Sequence, residues 1–144
     1  MIALPETSLE TILNQGGMLG EFLDYKQREQ SAPVVQLFAL REDAIPEDKR
    51  CIFIRQSGDS SAFSHLVQSN TITIGLISLP TDKDMPVVRF RAEEIYQYLL
   101  DNFSGDLIHG LRVTRPGTPY LLSSGRNSFE ITVQTQIGRL AAQP

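Results

Sequence analysis

The chain has 144 residues, 41% of them hydrophobic and 21% charged, with a formal net charge of −4, enough for one domain with a real core and short for two. Its pI near 5.1 argues against a dedicated nucleic-acid binder. No apolar run approaches the roughly 20 residues of a membrane helix, and the lone Cys51 excludes an internal disulfide framework.

The first ten residues, MIALPETSLE, have neither the basic start nor the apolar stretch of a secretory signal, so a reducing cytoplasm is expected. Thr7 and Glu10 have capping-box spacing, and Leu9, Ile12 and Leu13 form a short apolar stripe that ends at Gly16-Gly17. A second short helix is expected over Met18, Leu19, Phe22 and Leu23, trailed by the charged DYKQREQ, so that residues 1–32 read as a helical N-terminal region. PVVQLFAL and CIFIRQ are β-branched and aromatic, as strands are, and REDAIPEDKR between them reads as a charged connection at the sheet rim. Residues Gln56–Asn70 read as a long polar loop, of the kind that often carries function.

Thr71 to Phe103 is the organising stretch. Ile72, Ile74 and Leu76 alternate with Thr71, Thr73 and Gly75, the period of a half-buried strand. Asp82 or Asp84 and then Pro86 mark a helix start. Over 87–103 the apolar residues Val88, Ala92, Ile95, Leu99 and Phe103 form one helical stripe, which Gly105 terminates. IHGLRVTR is a strand ending at Pro116-Gly117, and Pro119–Leu122 is a short extended piece. SFEITVQTQI turns Phe129, Ile131, Val133 and Ile137 inward and Glu130, Thr132, Gln134 and Gln136 outward; 138–144 read as a frayed tail. The pattern predicts one α+β domain over 1–144: a largely antiparallel or mixed sheet over 33–137, with helices packed on one face.

A search for chemistry finds none. His65 and His109 stand alone, without the spacing of a metal site, and Cys51 reads as a small buried hydrophobe. The serine-rich SGDSSAFS lacks a nucleophile elbow, no phosphate-cradling glycine motif occurs, and Glu93-Glu94 falls on the solvent side of a helix. No catalytic residue, metal or cofactor is expected, and the protein is not expected to be an enzyme.

Charge is uneven along the chain. From Leu111 onward four arginines stand against Glu130, net +3, whereas the preceding part carries 9 bases and 16 acids, net −7. Ten of the 13 basic residues are arginine, the cation favoured at protein–protein contacts. Two readings are open: an unevenly solvated surface, or two unlike, complementary faces such as a head-to-tail ring needs.

Three segments carry a resemblance: CIFIRQSGDSS, the strand–loop–helix from Thr71 to Phe103 with AEEIYQYLL, and RVTRPGTPYLLSSGRNSFEITVQTQI. Together they resemble the tail terminator (tail completion) proteins of long-tailed bacteriophages over about Cys51 to Ile137, while residues 1–32 match nothing in that pattern. The resemblance implies a homo-oligomeric ring, hexameric in that family, that caps the tail tube and joins it to the head-completion or connector protein. It implies a virion protein assembled in the host cytoplasm, with DNA only as passing cargo, no membrane and no catalysis. Arg55, Arg112, Arg115 and Arg126 are then the candidate intersubunit contacts; read singly, each is equally a solvated strand-edge charge. The alternatives are another head–tail joining neck protein, a small ligand-binding or regulatory α+β domain that uses the long loop over its sheet, and, third, an enzyme with a cryptic site around Ser57–His65.

Overall fold

The computed structural model describes residues 4–56, 61–62, 67–102 and 108–138. Helix α1 (Pro5–Gln15) opens on a proline, whose fixed φ and missing N–H suit a first turn. The helix therefore starts ahead of Thr7, and the expected capping box does not form. The Thr7 hydroxyl instead donates to Leu4 O at 2.9 Å.

The expected second helix is absent as well. Phe22–Leu23 (β1) pairs antiparallel with Glu29–Gln30 (β2). Asp24 causes the change: its carboxylate accepts the amides of Lys26 at 2.8 Å and Arg28 at 2.9 Å. Such a side-chain turn offers the backbone a local alternative to a helix.

The main sheet comprises β3 (Val34–Leu37), β4 (Cys51–Gln56), β5 (Ser61–Ala62), β6 (Val67–Ile77), β7 (Ile108–Thr114), β8 (Tyr120–Leu121) and β9 (Asn127–Gly138). Its path runs β3-β4-β6-β9-β7, with β5 beside β6 and β8 beside β9. Only β3 and β4 are parallel, so the sheet is mixed. The polar stretch Gln56–Asn70 is shorter as a loop than its composition suggests, because β6 already begins at Val67 and pairs with β9 as far as Gly138.

Helix α2 (Met85–Asp101) lies between β6 and β7 in the chain. It begins two residues before the expected 87–103 span, after a turn in which the Thr81 hydroxyl accepts the Lys83 amide. Phe103 and Gly105 fall outside the described residues.

One face of the sheet holds the core. Ile72, Ile74 and Leu76 of β6, and Phe129, Ile131 and Val133 of β9, meet Val88, Ala92, Ile95 and Leu99 of α2 and Leu9, Ile12 and Leu13 of α1. Both helices share this face, so the fold is α+β with helices on one side. Each large side chain there contributes on the order of 1.5–3 kcal/mol. The helices are also tied to each other. The Tyr98 ring lies where a Cβ at Gly16 would stand, and its hydroxyl donates to Ile12 O at 2.7 Å, closing the end of α1.

The opposite face is organised differently. The connection from β3 to β4, residues 38–50, does not stay at the rim: it crosses this face and buries Ile45 against Cys51, Phe53 and Ile77. A parallel pair requires such a crossover, and Ile45 is its apolar foot. Phe53 lies flat over Gly75, its cross-strand partner, where any Cβ would overlap the ring. Beyond this ledge the face is polar, with Arg55, Thr73, Thr132 and Thr114 in register across four strands.

Candidate interaction surface

The four arginines singled out by sequence have different fates. Arg126 is 4% exposed and belongs to the interior. Its guanidinium donates to Lys49 O at 2.6 Å, Ser78 O at 3.0 Å and Pro46 O at 2.9 Å. Three carbonyls from two segments converge on one planar fork, a geometry lysine could not reproduce. Arg126 therefore clamps the crossover onto the end of β6, and it is neither an exposed contact nor a solvated edge charge. Residues 122–126 form the turn that delivers it, with Leu122 N and Arg126 O paired at 2.7 Å.

Arg55 is half-buried on the open face, its guanidinium 5.1 Å from the Phe53 ring centroid. Arg112 is exposed on the same face, on edge strand β7, opposite Gln134. Arg115 is exposed just beyond β7 and lies 5.2 Å over the Tyr96 ring of α2, a cation–π contact that fixes where its charge sits. Among the described residues, none of these three has a carboxylate partner within ion-pair distance. The Glu130 carboxylate takes the Tyr120 hydroxyl; burial and that bond raise the phenol above its ordinary value.

Strand β7, with Arg112 on it and Arg115 just beyond its end, forms one edge of the main path, and β3 forms the other. The crossover leaving β3 carries Glu42, Asp43, Glu47 and Asp48 against Arg41, Lys49 and Arg50, the last of them paired with Asp84. The acidic connection does not stay beside β3: Glu42 accepts the Ser124 hydroxyl at 2.8 Å, and Arg126 holds Pro46 and Lys49, so it lies across the sheet against the turn before β9. An open, mostly polar groove of about 380 Å³ lies beside α2, lined by Arg89, Pro116, Gly117, Thr118, Pro119 and Phe129.

A second polar constellation was not legible beforehand. Asp24 is 0% exposed and accepts the amides of Lys26 and Arg28, Arg28 Nε and Gln30 Nε2, the two side-chain bonds at 2.9 Å each. Burial alone would raise its carboxyl, but the amides of Arg28 and Lys26, then the side chains of Gln30 and Arg28, bring it down to about 2. Gln30 in turn accepts from Arg50 at 3.0 Å, and Arg50 grips Asp84 at 2.5 and 2.9 Å. Asp84 also accepts the Leu79 amide, so the N-terminal hairpin is wired to the start of α2. Phe22 lies between the guanidiniums of Arg50 and Arg91, 5.8 and 4.8 Å from its centroid.

Arg91 is 5% exposed, donates to Gly17 O at 3.0 Å, and is pulled below its ordinary value by burial, with Glu94 opposing. The cavity beneath Phe22 measures about 10 Å³, space for a single water and nothing larger. These groups hold the fold together. An Asp four residues before an Arg in a turn-prone, polar stretch was the available signal, and it was read as the tail of a helix.

Cys51 is buried, and burial pushes its thiol up to about 12 despite the nearby Arg126 charge, which removes it as a nucleophile near neutral pH. His65 and most of the Ser57–His65 segment lie outside the described residues; His109 falls on β7, with its side chain outside them. Among the described residues no group of three or more His, Cys, Asp or Glu is placed to hold a metal. No described helix is long and apolar enough to cross a membrane. Compared with known proteins, the chain matches no family model and no curated relative.

Proposed function

We propose that this chain is a structural assembly protein that closes head-to-tail into a ring, in the manner of a phage tail terminator. In that role it caps the tail tube and presents a face to the head connector, at the junction of head and tail in a virion built in the host cytoplasm. The observation that carries this reading is a set of exposed, unpaired charges of both signs among the described residues: Asp43, Glu47 and Asp48 on the crossover, and Arg112 and Arg115 at edge strand β7. A closed heterologous ring needs two different patches that complement each other on separated parts of one protomer. Arginines without carboxylate partners within the described protomer are suited to find them on a neighbour. The net charge of −4 suits a conduit whose wall should not retain phosphate.

Negative-stain imaging of the concentrated protein, alone and with tail tubes from the same virion, tests the reading. Closed rings, or rings seated on tube ends with tail length fixed, are expected. Tubes that stay bare and a protein that stays monomeric would overturn it.

A second reading, a small ligand-binding domain, is favoured by the groove of about 380 Å³, which lies within the size range of small-molecule sites. A melting temperature raised by a small anion in a strictly monomeric protein would favour it.

A further inference from the structure

We infer that the groove between α2 and the Pro116–Pro119 loop receives the acidic 42–48 connection of the next copy of this chain, an inference that rests on the ring reading above. The groove is bracketed by two cations. Arg89 lines it directly, and Arg115 is held at the loop's start by its stack on Tyr96. Arg89 and Tyr96 are seven residues apart on α2, so they share one side of the helix, about 10 Å apart along its axis. The wall between them is Pro116, Gly117, Thr118 and Pro119, which places two prolines without amide donors against any incoming segment.

The crossover supplies the acids that match this groove. Asp43, Glu47 and Asp48 are exposed on the crossover, and none has a cation partner among the described residues. Ile45 anchors the segment from beneath, so these carboxylates are presented on a fixed base. At the start of the same connection Phe38 sits at φ 72° and is 51% exposed. That left-handed conformation is costly for an aromatic residue. It is maintained by its amide, which donates to Ile54 O at 2.8 Å, and by Gln36, whose side chain bonds both backbone groups of Arg41. An exposed phenylalanine held in strain beside a row of acids, and a proline-walled groove between two arginines, are complementary in charge and in character. They are two different surfaces of one protomer, so the contact is head-to-tail and propagates.

The test uses two full-length variants that should each fold, since every altered side chain is exposed: Arg89→Glu with Arg115→Glu, and Asp43→Lys with Glu47→Lys and Asp48→Lys. Sedimentation velocity and melting curves are read on each variant, on their equimolar mixture and on the parent protein. Each variant alone should melt normally and lose association by at least about tenfold, because like charges now face each other. The mixture should regain assemblies of parental size, because reversed groove meets reversed acid in one contact and native groove meets native acid in the next. Phe38→Ala should weaken association without lowering the melting temperature. If both variants assemble like the parent, this interface is wrong while the ring reading stands. If they fail alone and the mixture does not recover, the pairing of these two surfaces is wrong. A parent protein that remains monomeric throughout overturns the ring reading itself, and the inference with it.

Discussion

On the helix-bearing face of the sheet, Ile72, Ile74, Ile131 and Val133 are sealed by α1 and α2 without a polar atom among their side chains. On the opposite face, cohesion rests on a four-residue apolar foot of Ile45, Cys51, Phe53 and Ile77, and on one arginine holding three carbonyls. The first face is non-directional and tolerates modest repacking; the second depends on angles and on one side chain. Stability is therefore concentrated on the helix side. The ledge side remains a thin layer that can present charge to another molecule, because only its underside is committed to the core.

The contrast can be broken most severely at Ile95, which is 0% exposed in the middle of α2. Ile95→Asp buries an unpaired charge, costs upwards of about 4 kcal/mol and should leave insoluble or molten protein; a cooperatively melting variant would contradict this packing. Arg126→Ala strands three carbonyls and should lower unfolding free energy by about 3 kcal/mol in urea titrations. Arg126→Lys should recover only a minor part of that loss, since one ammonium cannot serve both segments. Gly75→Ala pushes a methyl into the Phe53 ring and should cost about 2 kcal/mol. A neutral result there would mean that the ring does not lie on the strand.

Two titrations sharpen the comparison further, with smaller effects. The folded Asp24 carboxyl sits at about 2, below its usual 3.8, so the hairpin's contribution is whole above pH 4 and drains as pH falls towards 2. Melting temperature against pH should show this acid limb, and Asp24→Asn should flatten it. Cys51 has the opposite sign. Its thiol is raised from 9.0 to about 12, so its contribution is intact below pH 9 and is lost between those values. At pH 8 the native thiol should be silent to a thiol reagent and react only when urea unfolds the chain; rapid native reaction would mean that the ledge opens.

The helix-bearing face was legible from sequence because burial there follows period: two along β6 and β9, 3.6 along α2. Ile72, Ile74, Leu76, Phe129, Ile131 and Val133, with Val88, Ala92, Ile95 and Leu99, all point where the alternation put them. The ledge face was not legible, because its order comes from single polar groups meeting across long separations. Arg126 reaches Pro46 across 80 residues and Ser78 across 48. No local window contains both partners, so Arg126 looked like any edge charge. The N-terminal hairpin was missed for a related reason: Phe22 and Leu23 at helical spacing outweighed the turn chemistry of Asp24. Of the candidate contacts, chain position alone could not separate Arg126, which is inside, from Arg112 and Arg115, which are on a surface.

Sedimentation velocity of the unmodified protein at about 0.05 M and 0.5 M salt is the most direct test of function through complementary charged surfaces, since added salt screens such contacts within a few ångströms. The expected result is a concentration-dependent, ring-sized species at low salt that dissociates towards monomer at high salt. A monomer at every concentration and both salt levels, or an assembly indifferent to salt, would contradict it.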